Sequence, residues 1–146
     1  MKKNLFFALF TCLISLASLG QSGSKEISLF DKEGEAKAYI DDDLTIYLRD
    51  GDPLAYLSNS NDGWHVYGFN GKHLGWYVKG IIYDQDGDAV AAQKDATNMI
   101  TSIEGIKGIK TIKPIKSIKE IAPIQPIFSK SWSKTPLVLF LRAGED

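Results

Sequence analysis

The sequence predicts an all-β fold: four short β-hairpin repeats packed about one axis, followed by an extended, polyproline-II-like or irregular C-terminal tail. Three observations carry that prediction. A glycine-centred unit recurs four times between Ile27 and Gln93, isoleucine falls at every third position from Ile100 to Ile127, and net charge changes sign between the two stretches.

The four units superpose without gaps on Gly34, Gly51, Gly71 and Gly87. Five residues before each glycine stands Leu29, Ile46, Val66 or Ile82. Four before it stands an aromatic, Phe30, Tyr47, Tyr67 or Tyr83, and four after it Ala38, Ala55, Gly75 or Ala91. Asp50-Gly51, Asn70-Gly71 and Asp86-Gly87 suit the two positive-φ positions of a type I′ turn, and Glu33-Gly34 suits them poorly. A loop made of that dipeptide sets Ile46 across from Ala55, Val66 from Gly75 and Ile82 from Ala91. Small partners at those positions fit hairpins crowded around a shared axis. One hairpin alone is marginal in water, so the four must bury their apolar faces on one another.

At Ala38-Tyr39-Ile40, Ile46-Tyr47, Tyr67 to Trp76 and Gly80 to Asp84 the chain resembles the bacterial 4-fold β-flower family. In that family short hairpins radiate like petals around a pseudo-fourfold axis. The resemblance implies the fold and an exported or cell-surface bacterial context, with no assigned activity. The fourth unit departs from the pattern, with Ala92 where Tyr39, Tyr56 and Trp76 stand in the others.

Lys2 and Lys3 ahead of the apolar run Leu5 to Leu19, closed by Ser18, Leu19 and Gly20, read as a signal peptide over residues 1–20. Cleavage starts the mature chain at Gln21 and removes Cys12, the one cysteine, so no disulfide framework or cysteine-built zinc site remains. The expected location is periplasmic, cell-surface or extracellular, with no membrane span after cleavage. The remaining segments are a four-hairpin domain over 25–98, a basic tail over 99–134 and a short apolar segment over 135–146. That last segment reads as a strand or helical turn docking on something, and the hairpin domain is expected to fold without the tail.

Period three matches neither α-helix nor strand, and Pro114, Pro123 and Pro126 further exclude a helix. Three residues per turn leave one edge all isoleucine, a second carrying Lys107, Lys110, Lys113, Lys116 and Lys119, and a third of Gly, Thr, Pro, Ser and Glu. At ~3.1 Å per residue the path from Ile100 to Ile127 is roughly 84 Å, against ~25–30 Å for the breadth of the hairpin domain. The tail must therefore bend around its own domain or project and bury its isoleucine edge against another chain. Residues 25–98 hold 7 Lys/Arg against 14 Asp/Glu, and residues 99–134 hold 7 Lys against 2 Glu, so the two parts attract.

Ile103, Ile106, Ile109, Ile112, Ile115 and Ile118 form the expected assembly edge. Tyr39, Tyr56, Trp76 and Trp132 are the candidate binding aromatics for a sugar ring or apolar peptide, with burial in the core as the duller reading. Asp84, Asp86 and Asp88 alternate as in a calcium loop but lack its glycine and glutamate spacing, and Asp41-Asp42-Asp43 reads as an exposed connector. His65 and His73 are the only histidines, too few for a transition-metal site without carboxylates. No nucleophile elbow, zinc-protease helix or phosphate loop is present, and no cofactor is implied. The expected role is a non-enzymatic interaction or assembly protein. Its partners are itself or another envelope protein, or an anionic envelope surface through the tail lysines, and not nucleic acid. A glycan- or peptide-binding module is the second reading and a carboxylate enzyme the third.

Overall fold

The computed structural model describes residues 25–145; the expected signal peptide and the start at Gln21 lie outside them. Eight antiparallel strands follow one another around a closed barrel: β1 (Ile27–Phe30), β2 (Ala36–Ile40), β3 (Thr45–Leu48), β4 (Pro53–Ser60), β5 (Gly63–Gly68), β6 (His73–Val78), β7 (Ile81–Tyr83) and β8 (Ala89–Gln93). β8 returns to pair with β1, so no sheet edge is left open. The four repeats are the hairpins β1–β2, β3–β4, β5–β6 and β7–β8, and neighbouring hairpins also pair with each other.

The expected facing pairs are present: Leu29 with Ala38, Ile46 with Ala55, Val66 with Gly75 and Ile82 with Ala91. All point inward and are fully buried. The turn differs from expectation. Each glycine amide donates to the carbonyl three residues earlier, at 3.0–3.1 Å, and only the glycine has positive φ, between 78° and 98°. These are three-residue type I loops closed by a glycine bulge, followed by a register shift of the strand. One positive-φ residue suffices in this loop, so Glu33 is no weaker than Asp50. The turn with two positive-φ residues lies at the other end of the barrel, at Lys79-Gly80 between Val78 and Ile81.

The barrel interior is closed by the C-terminal segment. Helix α1 (Leu137–Arg142) starts after Pro136, whose fixed φ suits a helix entry, and buries Leu137, Phe140 and Leu141 among Leu29, Ile46, Val66 and Ile82. Gly75 shows how tight the fit is: a Cβ there would overlap the Tyr83 carbonyl and press on the Phe140 ring. The small residues at the axis therefore admit both a neighbouring backbone and the helix. Residues 100–128 form neither helix nor strand, and they bend around the barrel rather than project from it.

Candidate functional site

The tail is attached turn by turn. Amides of Ser102, Thr111, Glu120 and Ser129 donate to the carbonyls of Gly34, Gly51, Gly71 and Gly87, all at 2.8–2.9 Å. Successive attachments are nine residues apart, which is three turns of a three-residue repeat. Between them Gly108 and Ser117 donate to Arg49 and Phe69. All these donors belong to the edge of Gly, Thr, Pro, Ser and Glu, so that edge faces the barrel. Pro114 falls between the attached amides of Thr111 and Ser117, and Pro123 between those of Glu120 and Ser129, where a missing N–H costs nothing. Gly34, Gly51, Gly71 and Gly87 are buried because the tail backbone crosses where a Cβ would lie.

The same nine-residue register places the lysine edge on the outward tyrosines. Lys107 lies 4.5 Å from the Tyr39 ring centre and Lys116, nine residues on, 4.1 Å from that of Tyr56. Lys110 lies over Tyr47, Lys119 over Tyr67, and Phe128, next in the series, stacks on Tyr83 at 4.2 Å. Cation–π contact is the physical reason a lysine edge settles on an aromatic wall. Ion pairs reinforce it: Lys107 meets Glu26, Lys110 meets Asp41 at 2.6 Å, and Lys113 meets Asp43. The Lys107 bond holds the Glu26 carboxyl below its ordinary value, and Asp41 raises Lys110 above the usual lysine range. The attraction between acidic head and basic tail thus acts within one chain.

Tyr39, Tyr56 and Trp76, the repeated binding candidates, are 0–4% exposed. Tail lysines cover the two tyrosines, and Phe128 packs edge-on against Trp76 at 6.2 Å. They form the wall on which the tail rests, and no open platform. Trp132 is only partly buried, held by a parallel bridge to Ala89 near the end of the tail.

Of the alternating carboxylates Asp84 and Asp88 are engaged by the fold, while the exposed Asp86 contributes only its amide. Asp84 Oδ1 accepts the amides of Asp86 and Asp88 at 3.0 Å, and Asp88 accepts the Ser129 hydroxyl at 2.6 Å. Asp31 does the same in the first hairpin, where it occupies the same turn position. Asp41, Asp42 and Asp43 bring carboxylate oxygens within 4.8 Å of one another, and Lys110 and Lys113 meet two of the three charges.

One cluster was not foreseen. His65 Nδ1 faces His73 Nε2 at 2.9 Å, His65 Nε2 faces Asp62 at 2.9 Å, and Gln85 Nε2 faces His73 Nδ1 at 2.9 Å. One set of neutral tautomers satisfies all three, with hydrogens on His73 Nε2 and His65 Nε2. Ser60 and Asp62 both approach the same nitrogen, His65 Nε2, which this network makes a donor, so the trio holds the 60–63 turn and does not activate Ser60. The sequence hides the pair because the residues lie on adjacent strands, brought together only by the bulge after Gly71.

Burial, then the charge of His65, pushes His73 down to about 4. Between that value and the ordinary 6.5 the unfolded chain binds more protons than the folded one, so stability falls as pH drops through this window. The expected loss from His73 is roughly 3 kcal/mol on going from above 6.5 to 4. Urea midpoints measured between pH 7 and 4.5 should decline steeply in the natural chain and less in His73→Gln. Equal slopes would mean another group carries the acid sensitivity.

What remains is the isoleucine edge. Wrapping has not buried it: the ten isoleucines from Ile100 to Ile127 are 91–100% exposed. With the other two edges turned to the barrel, the third faces away along the whole path. Three quarters of the circuit, from the first hairpin to the fourth, carries this apolar belt.

No curated protein and no solved structure matches this chain. A family model described as 4-fold beta flower protein matches residues 27–141, which takes in the barrel, the tail and the start and body of α1 alike. The chain belongs to the 4-fold beta flower protein family.

Proposed function

We propose that this is an exported, non-enzymatic assembly protein whose barrel is a frame for an outward isoleucine belt, and that the belt binds further copies of the same chain. The observation that carries this reading is the exposure of all ten isoleucines. At 1.5–3 kcal/mol and 25 cal/mol per Å², each buries roughly 60–120 Å², or on the order of 1,000 Å² for the belt. That exceeds the ~300–600 Å² patch of a typical monomer and matches the ~800 Å² each partner gives to a stable interface. An anionic surface is a poorer fit, because Lys107, Lys110 and Lys113 already meet Glu26, Asp41 and Asp43. With those charges met inside the chain, two belts meet with less repulsion than the sequence implies. Export rests on the Lys2-Lys3 and Leu5 to Leu19 pattern.

Protein isolated from its host should have the mass of a chain starting at Gln21 and scatter light as an oligomer. Changing Ile109, Ile112 and Ile115 to Ser should yield monomers with an unchanged melting temperature, since these side chains are 91–95% exposed. A monomeric natural chain at high concentration, or an oligomer that ignores the triple substitution, would refute the assembly reading. An intact Met1 would refute export.

A further inference from the structure

The belt has a gap, and the gap holds a cleft of about 460 Å³. Tail attachment begins at Gly34 and ends at Gly87, so the sector between the fourth hairpin and the first has no tail across it. The connector from Lys94 to Met99 runs there instead. Ala92 faces this sector, in the position that Tyr39, Tyr56 and Trp76 occupy under the tail, and is fully buried. This sector therefore lacks the aromatic wall of the other three.

Tyr83, Trp132, Thr97, Asn98, Ser129 and Lys130 line the cleft. Both rings are only partly buried, unlike the covered aromatics of the other sectors. Both are also held in place. Phe128 stacks on one face of Tyr83 at 4.2 Å, and the residues flanking Trp132 bond to Ala89, Ser131 O accepting its amide at 2.9 Å and Ser133 N donating to its carbonyl at 2.8 Å. Ser129 is used internally, between Asp88 and the Ser131 amide. Among the described residues the Asn98 amide, the Lys130 ammonium and the Tyr83 hydroxyl make no side-chain hydrogen bond or ion pair, and Lys130 is the only charged group in the lining.

Fixed aromatic faces beside an unused amide, a hydroxyl and one cation are the chemistry that recognises a sugar carrying a carboxylate. We propose that this seam cleft binds an acidic oligosaccharide of the uronate class, with a pyranose ring on Trp132, hydroxyls on Asn98 and Tyr83, and a carboxylate on Lys130. The site is separate from the belt, so it stands or falls independently of self-assembly.

The test is a titration of the mature chain, followed by amide NMR, with tetragalacturonate and, as the neutral comparator, cellotetraose. Tetragalacturonate should move the Trp132 indole and Asn98 amide resonances. Trp132→Ala should weaken binding at least about tenfold. Lys130→Gln, at an exposed side chain that leaves the fold intact, should weaken the acidic sugar about fivefold or more and leave the neutral one unchanged. The Ile109, Ile112 and Ile115 triple variant should bind as the natural chain does. No movement with either sugar at roughly 10 mM would overturn the site, and equal binding of both, untouched by Lys130→Gln, would overturn its acidic specificity.

Discussion

Removing residues 135–146 should abolish the folded barrel, and Phe140→Ala alone should cost about 3–5 kcal/mol. Leu137, Phe140 and Leu141 are at most 6% exposed and belong to the same apolar cluster as the inward residues of all four hairpins. A helix of six residues has no stability of its own in water, so it forms because the barrel receives it. The dependence runs the other way too, since without the helix the inward residues of the four hairpins, Leu29, Ile46, Val66 and Ile82 among them, would lose the apolar side chains they pack against. The barrel of residues 25–98 thus shares its core with α1, and whether it stands alone is what truncation tests. Near-ultraviolet circular dichroism and urea unfolding of residues 21–134 provide the check. A cooperative transition within about 1 kcal/mol of the natural chain would reduce α1 to a surface cover.

How far the fold could be read in advance follows from where its information is local. Hairpin register was legible at the apolar residue five before each glycine and the small residue four after it, which must share one face, but not nearer the turn, where the shift pairs Tyr67 with His73 and turns Leu54, Leu74 and Val90 into the core. The turn class was not, because Asp-Gly and Asn-Gly serve type I′ turns and type I turns with a glycine bulge equally well. Glu33 was the clue, since it is awkward in the first turn and ordinary in the second. Lateral pairing of hairpins into a closed barrel, and the entry of Leu137–Arg142 into it, depend on contacts between distant residues that leave no periodic trace.

The tail was legible to the same limit. Its three edges were visible, but which edge faces the barrel depends on the spacing of the turns. The nine-residue register that answers this was present in Lys107 with Lys116 and in Lys110 with Lys119, and becomes meaningful only against Tyr39, Tyr56, Tyr47 and Tyr67. The aromatics were singled out as repeated, with burial weighed against an open platform, but what covers them was not legible, because the covering residues lie 52 or more positions away. Trp132 and Tyr83 remain open because the belt stops short of a full circuit.

Glycine substitutions should separate the strain of the turns from the lock between turn and tail. Gly51 has φ 98° and sits where a Cβ would overlap the Ile109 carbonyl, so Gly51→Ala meets both costs. Left-handed backbone costs an alanine about 1–2 kcal/mol. Displacing the tail forfeits the bonds from Thr111 to Gly51 and from Gly108 to Arg49, at about 1 kcal/mol each, for a total of roughly 3–4 kcal/mol. Gly63, with φ 123° and no atom within 4 Å of a built Cβ, isolates the first cost, so Gly63→Ala should lose only about 1–2 kcal/mol. Gly108 isolates the second, because it has no positive φ and its Cβ would overlap the Asp50 carbonyl; about 2 kcal/mol is expected for Gly108→Ala. Gly105 has open space around it and no positive φ, so Gly105→Ala should fall within about 0.5 kcal/mol of the natural chain. Only the substitutions at Gly51 and Gly108 should also make the stretch from Gly105 to Lys116 sensitive to protease, because only they lift the tail. Equal costs at Gly105 and Gly108 would mean that the tail does not bind the second turn in solution.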